Sequence, residues 1–160
     1  MLSKKPFFIF LSQSGETADS REVLDNVVKQ GYPSLTMANV LNSTLTREAD
    51  FALPLLAGPE IAVASTKAYT AQVIVEAILA HAIGDSGLDL KHELAKVAVE
   101  MQVITDQKDQ FKDIAEEALH DRHSAFYIGR GLDAAVAVES ALKLKEISYV
   151  QTEGFAAGEL

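Results

Sequence analysis

The sequence predicts an α/β fold, a parallel sheet flanked by helices on both faces. Two observations carry the prediction. Short apolar runs of strand length alternate with longer segments whose apolar residues recur every three or four positions, the order produced by parallel strands joined through helices. At 160 residues, 48% of them hydrophobic, the chain is also long enough to bury the core such a sheet needs.

The first strand is expected over Phe7 to Leu11. A helix from Thr17 to Gln30 is expected to bury Val23, Leu24, Val27 and Val28, with Gly31 in the left-handed position that ends it and Pro33 preventing its resumption. A second strand covers Ser34 to Ala38, Asn39 to Thr46 forms a polar turn or short helix, and Asp50 to Leu55 is a third strand punctuated by Gly58-Pro59. Glu60 to Ile83 is apolar on most of its circumference and predicts a largely buried helix. Gly84-Asp85-Ser86-Gly87 breaks it. From Leu90 to Leu119, apolar residues at 90, 94, 97, 101, 104, 111, 114 and 118 predict one long amphipathic helix. A fourth strand, Ser124 to Ile128, leads through Gly129-Arg130-Gly131 into a helix from Asp133 to Tyr149, after which the chain reads as a polar break. A twisted parallel sheet of so few strands wants more neighbours, so a fragment of a longer protein is expected.

Composition excludes several function classes. Fourteen basic and 23 acidic residues give a formal charge of −9, unsuited to binding a nucleic acid backbone. With no cysteine, disulfides, thiolate metal sites and cysteine catalysis are excluded. No signal peptide or membrane span is legible, because Lys67, Gln72, Glu76 and His81 interrupt the apolar run 61–83, and a cytoplasmic protein is the expectation. His81, His92, His120 and His123 show no zinc pattern, so neither a metal nor a cofactor is expected.

The densest chemistry lies at Ser12-Gln13-Ser14-Gly15-Glu16-Thr17, where a strand ends and a helix begins. Ligands bind at the carboxyl ends of strands in open α/β sheets, and a helix N-terminus favours an anion. The Ser12, Ser14 and Thr17 hydroxyls, with the Gly15 and Glu16 amides, can converge on a phosphate. The plainer alternative is an ordinary helix cap. Glu139, Lys143 and Glu146, spaced four and then three, share one face of the last helix. A carboxylate beside an ammonium suits proton transfer between adjacent carbons of a sugar, although from spacing alone a solvated Glu–Lys stripe is the commoner reading. Gly129-Arg130-Gly131-Leu132-Asp133-Ala134 fits a loose dinucleotide fingerprint, discounted because its acidic partner would be Glu153 and no second strand of the unit is visible.

Three motifs carry a resemblance: Ser12 to Asp19, Glu60 to Thr70, and Ala141 to Tyr149 followed by Glu153-Gly154-Phe155-Ala156-Ala157-Gly158-Glu159-Leu160. In this order they resemble the sugar isomerase (SIS) family and, within it, the isomerase half of the glucosamine-6-phosphate synthases (glutamine:fructose-6-phosphate aminotransferases), over essentially the whole chain. The resemblance implies an SIS-type, flavodoxin-like three-layer fold. Residues 1–119 would be a first SIS domain lacking its N-terminal strand and helix, and 120–160 the beginning of a second. It also implies conversion of fructose 6-phosphate and ammonia to glucosamine 6-phosphate, with the ammonia supplied by a glutaminase domain. Ser12, Gln13, Ser14 and Thr17 would contact the phosphate, and Val63 and Ser65 the sugar. Glu146 would be the proton-shuttling base, supported by Lys143 and Glu139. The family's ring-opening histidine and Schiff-base lysine would lie beyond Leu160, so the isolated chain is expected to be inactive. An exposed sheet edge predicts a homo-oligomer. The main alternative is a non-catalytic module that senses a phosphosugar, which would keep the hydroxyl turn but have no use for Glu146. A dinucleotide-dependent oxidoreductase rests only on the Gly129 turn.

Overall fold

A computed structural model describes residues 5–84 and 87–158. They form two compact units, one running to Ile61 and including Ser65–Leu88, the other comprising Ala62–Ala64 and the chain from Asp89 onward.

In the first unit, β1 (Phe8–Ser12), β2 (Ser34–Ala38) and β3 (Phe51–Pro54) form a parallel sheet in the order β1-β2-β3. Phe8 to Ser12 lie opposite Ser34 to Ala38, and Leu35 to Ala38 opposite Phe51 to Pro54. Side chains alternate across this sheet and so feed two cores. On one face Phe10 packs with Leu24 and Val27 of α1 (Ala18–Lys29) and Leu45 of α2 (Thr44–Glu48). On the other, Leu35 and Met37 pack with Leu55 and with Ala71, Val75 and Leu79 of α3 (Lys67–Ile83). Helices therefore cover both faces, as expected. Ser34 and Asp50 tie together the start of β2 and the approach to β3: the Ser34 N–H and hydroxyl donate to Asp50 Oδ2 at 2.9 and 3.0 Å.

Helix α1 ends as its sequence dictates. Gly31 has φ +68°, its N–H donates to the Val28 carbonyl at 2.9 Å, and the Tyr32 N–H donates to the Val27 carbonyl at 3.2 Å. This is the paired closure of a left-handed helix end. The expected buried set is narrower, because Val23 and Val28 flank the Leu24–Val27 stripe and are about half exposed. Helix α3 departs further from expectation. It begins at Lys67, not Glu60, with Ala68 buried, Ala71, Val75 and Leu79 partly buried, and Val73, Ile78 and Ile83 substantially exposed. Residues 60–66 are a loop with a bend at 62–64. Gly84 caps the helix; Asp85 and Ser86 of the expected break lie outside the described residues.

The second unit holds α4 (Leu90–Asp106), α5 (Lys108–Leu119), β4 (Ser124–Gly129), α6 (Leu132–Ser148) and β5 (Gln151–Ala156). Two helices replace the single long one, with the backbone turning at Gln107 (φ −92°, ψ 20°). β5, expected as a polar break, is a strand parallel to β4, with Ser124 to Gly129 opposite Gln151 to Ala156. The unit the sequence left without a second strand is therefore a complete β4–α6–β5 crossover. Its helix lies very close to the sheet. A Cβ on Gly129 would sit 2.1 Å from the Asp133 carbonyl oxygen, and one on Gly154 would sit 2.6 Å from Val138 Cα. Ala137 and Ala141 are the buried residues of α6, small enough to permit that approach.

Candidate functional site

The hydroxyl turn leaves the carboxyl end of β1 as expected. Ser12 is buried, and its Oγ accepts the Gly15 N–H at 2.9 Å and lies 3.4 Å from Thr17 Oγ1. Ser14 Oγ accepts the Glu16 N–H at 3.1 Å. The two amides expected to face an anion are thus turned inward on the serines. A hydroxyl that accepts an amide proton still has its own proton to donate, so the turn offers an anion hydroxyl donors. Thr17 is the N-cap residue of α1, yet its side chain makes no hydrogen bond to that helix. The ordinary-cap alternative therefore fails at Thr17, whose hydroxyl is not spent on α1.

A second turn, between β2 and α2, holds the first in place. The Asn39 N–H donates to the Gln13 carbonyl and the Leu45 N–H to the Gly15 carbonyl, both at 3.1 Å. Gly15 has φ +68°, and a Cβ there would meet Ser43 Oγ at 1.9 Å, so neither its conformation nor its surroundings admit a side chain. The Thr44 N–H donates to Glu16 Oε1 at 2.7 Å. That bond is the first cause of a Glu16 carboxyl held below the ordinary carboxylate range. The Thr44 side chain adds to it, burial opposes it, and the Arg21 and Arg47 charges lower it further by lesser amounts. Asn39 also holds the loop after β3, donating to the Gly58 carbonyl and accepting the Ala57 N–H. Glu16, Asn39 and Ser43 were missed from sequence because their partners lie far along the chain.

Val63 and Ser65, assigned to the sugar by resemblance, precede α3 instead of opening it. Val63 is 84% exposed, Ser65 is half-buried and Ala64 is buried. Thr66 caps nothing with its side chain; Glu60 Oε2 instead accepts the Ala68 N–H at 3.0 Å and secures the start of the helix.

On α6 the structure brings Glu139, Lys143 and Glu146 together. Lys143 Nζ lies 3.1 Å from Glu139 Oε1 and 3.3 Å from Glu146 Oε2, with side-chain exposures of 21%, 29% and 30% for Lys143, Glu139 and Glu146. Glu139 and Lys143 are partly buried and Glu146 is exposed, so the three form an ion-paired cluster that is open to solvent at the Glu146 end. Desolvation, the largest single influence on Lys143, pulls its pKa down, but hydrogen bonds to Glu139 and Glu146 together with their charges win and raise it. Lys143 is therefore a fixed cation between two carboxylates, able to neutralise developing negative charge while a carboxylate moves a proton. Gly131 opens α6 with φ +61°, so the Gly129 turn is a strand-to-helix junction, and Glu153 lies within β5. Among the described residues, no three His, Asp or Glu side chains gather as a metal site would require. Among them, too, no helix is long and apolar enough to cross a membrane.

A parallel sheet with helices on both faces and a hydroxyl-rich turn at the carboxyl end of β1 defines a three-layer α/β protein. The chain belongs to the SIS domain family, which it matches over residues 1–82 and 118–160. It is 63% identical over its full length to the glutamine–fructose-6-phosphate aminotransferase (isomerizing) of Lactiplantibacillus plantarum and 61% identical to that of Bacillus subtilis. The chain spans 28% of the length of each. Among solved structures it is similar to the C-terminal domain of the glucosamine-fructose-6-phosphate aminotransferase of Francisella tularensis. The identity is 38% and the TM-score 0.81, covering 99% of this chain and 48% of that one.

Proposed function

We propose that the chain is the phosphosugar-binding isomerase part of an enzyme that converts fructose 6-phosphate and ammonia to glucosamine 6-phosphate and water. The ammonia would be released from glutamine by a glutaminase domain of the parent enzyme. The observation that carries this reading is the turn after β1, where three hydroxyls crowd a strand-to-helix junction and Thr17 is not used as a cap. Ser12, Gln13, Ser14 and Thr17 bind the phosphate, and Val63 and Ser65 contact the sugar. Glu146 moves the proton between adjacent carbons, with Lys143 holding the charge that develops and Glu139 fixing Lys143. The ion-paired Glu139–Lys143–Glu146 cluster favours an enzyme over a sensing module, which would have no use for it. In this reading residues 1–119 belong to one SIS domain and 120–160 open a second, and the acidic, cysteine-free chain works in the cytoplasm.

The test is a titration of the chain with glucosamine 6-phosphate, glucosamine and inorganic phosphate, following the melting temperature, with Ser12→Ala alongside. Stabilisation by the phosphosugar should exceed that by either control and vanish in the variant. Equal responses to all three compounds, or an unaffected variant, would overturn the assignment of the turn.

A further inference from the structure

A carboxylate within an anion-binding turn is a liability, since its charge repels the ligand the turn is meant to hold. Glu16 sits in such a turn, and the structure directs its charge elsewhere. Oε1 takes the Thr44 N–H at 2.7 Å, at the first residue of α2, and Oε2 lies 3.7 Å from Arg21 Nη1. Arg47, whose Nη2 donates to Thr44 Oγ1 at 3.3 Å, braces the same residue. The Glu16–Thr44 bond spans 28 residues and joins the two turns where the Gly15–Ser43 contact already presses them together. Backbone bonds from Asn39 to Gln13 and from Leu45 to Gly15 flank it. The side-chain bond is thus a part of this seam that a substitution can open without changing the backbone path.

We propose that Glu16 is a positioning residue for the phosphosugar, its carboxylate clamping the 12–17 turn to the turn before α2 so that the Ser12, Ser14 and Thr17 hydroxyls converge. This rests on the assignment of that turn to the phosphate. Glu16 does not touch the ligand; it acts through the turn.

The clamp predicts a thermodynamic cycle. Thr44 follows Ser43, which is extended (φ −72°, ψ 164°), and stands at the first position of α2. Proline is tolerated at both counts, yet it removes the N–H that Glu16 accepts. Calorimetric titration of the full chain with glucosamine 6-phosphate, well below the melting transition, should show binding weakened about tenfold in Glu16→Ala and comparably in Thr44→Pro. The double variant should be no weaker than either, because the clamp bond between Glu16 and the Thr44 N–H is the one both changes remove. Glu16→Gln, whose amide oxygen can still accept the N–H, should bind close to wild type. Asp50→Ala serves as the control, because it removes a bond of the same kind near the opposite ends of the strands. It should lower the melting temperature without weakening the ligand.

Wild-type affinity in Glu16→Ala, additive losses in the double variant, or an equal loss in Asp50→Ala would overturn the clamp while leaving the phosphate assignment standing. That assignment has its own readout, loss of binding in Ser12→Ala. If the wild type itself does not bind the phosphosugar, both fall.

Discussion

Lys143 is the residue whose environment departs furthest from that of an ordinary surface lysine. Removing its charge leaves Glu139 and Glu146 without the ammonium that each of them pairs with. Lys143→Met, which keeps the length of the side chain, is expected to cost about 1–2 kcal/mol at neutral pH, the scale of partly buried charge-assisted hydrogen bonds. The pH dependence has a definite sign. The folded pKa of Lys143 is raised above 10.5, so its contribution is complete below that pH and is lost as pH rises through the folded value. Denaturant titrations across pH 7 to 12 should show an alkaline loss of stability in the wild type that is reduced in the variant. Identical alkaline limbs would show that the triad is not coupled to folding. The triad's spacing was visible in the sequence, but its burial was not. Burial depends on how closely α6 lies on its sheet, and that distance is set by glycines in other elements.

Those glycines operate at the scale of the element. Gly154 occupies a strand interior, where glycine is weak unless another backbone must come close. Here a Cβ would stand 2.6 Å from both Cα and N of Val138, backbone atoms that cannot swing aside. Gly154→Ala is therefore expected to lift α6 off β5 and destabilise the second unit by about 2–4 kcal/mol, as overpacking against backbone does. Gly58→Ala meets no atom within 4 Å and carries only the strain of φ +73°, about 1 kcal/mol. Urea unfolding of the two variants should separate them by their midpoints, and equal midpoints would refute the close packing. The same glycine explains why β5 was not legible as a strand. Gln151-Thr152-Glu153-Gly154 lacks the apolar run that marks one, and buried Thr152 satisfies its hydroxyl on the Val150 carbonyl instead of revealing itself by hydrophobicity. β1, β2 and β3 and the end of α1 were legible because apolar runs and Gly31 announce them locally. The start of α3 was not, because Ile61 to Ala64 carry its apolar character into the 60–66 loop and the helix is secured by a carboxylate eight residues from the amide it accepts. The break at Gln107 left only a faint trace, the gap of seven between the apolar residues Ile104 and Phe111.

At the scale of the whole molecule, the first unit presents an incomplete surface. Among the described residues β1 pairs only with β2, and on the face it shares with Met37 its Ile9 and Leu11 are 47% and 45% exposed. They line a groove with Met37, Leu79 and Ile83, so the unpaired edge and an apolar patch coincide. An edge of this kind, with no lysine or proline among Phe8 to Ser12 to blunt it, is a template for pairing with another chain. A second copy is expected to occupy it, because an edge that accepts one parallel partner already has the alternating apolar side chains a further strand needs. Light scattering of the chain over rising concentration should show a mass above that of a monomer. Ile9→Lys, which places a charge beside the open edge, should shift the population towards monomer without unfolding the unit, because Ile9 is 47% exposed and belongs to neither buried cluster of the sheet. A monomeric wild type at high concentration, or an Ile9→Lys protein that assembles as before, would show that this edge is not where copies meet. The variant also separates assembly from binding, since Ile9 lies three residues before Ser12 and outside the 12–17 turn. A monomeric variant that keeps its affinity for the phosphosugar would establish that the turn is organised within a single chain by the seam it forms with residues 39–45.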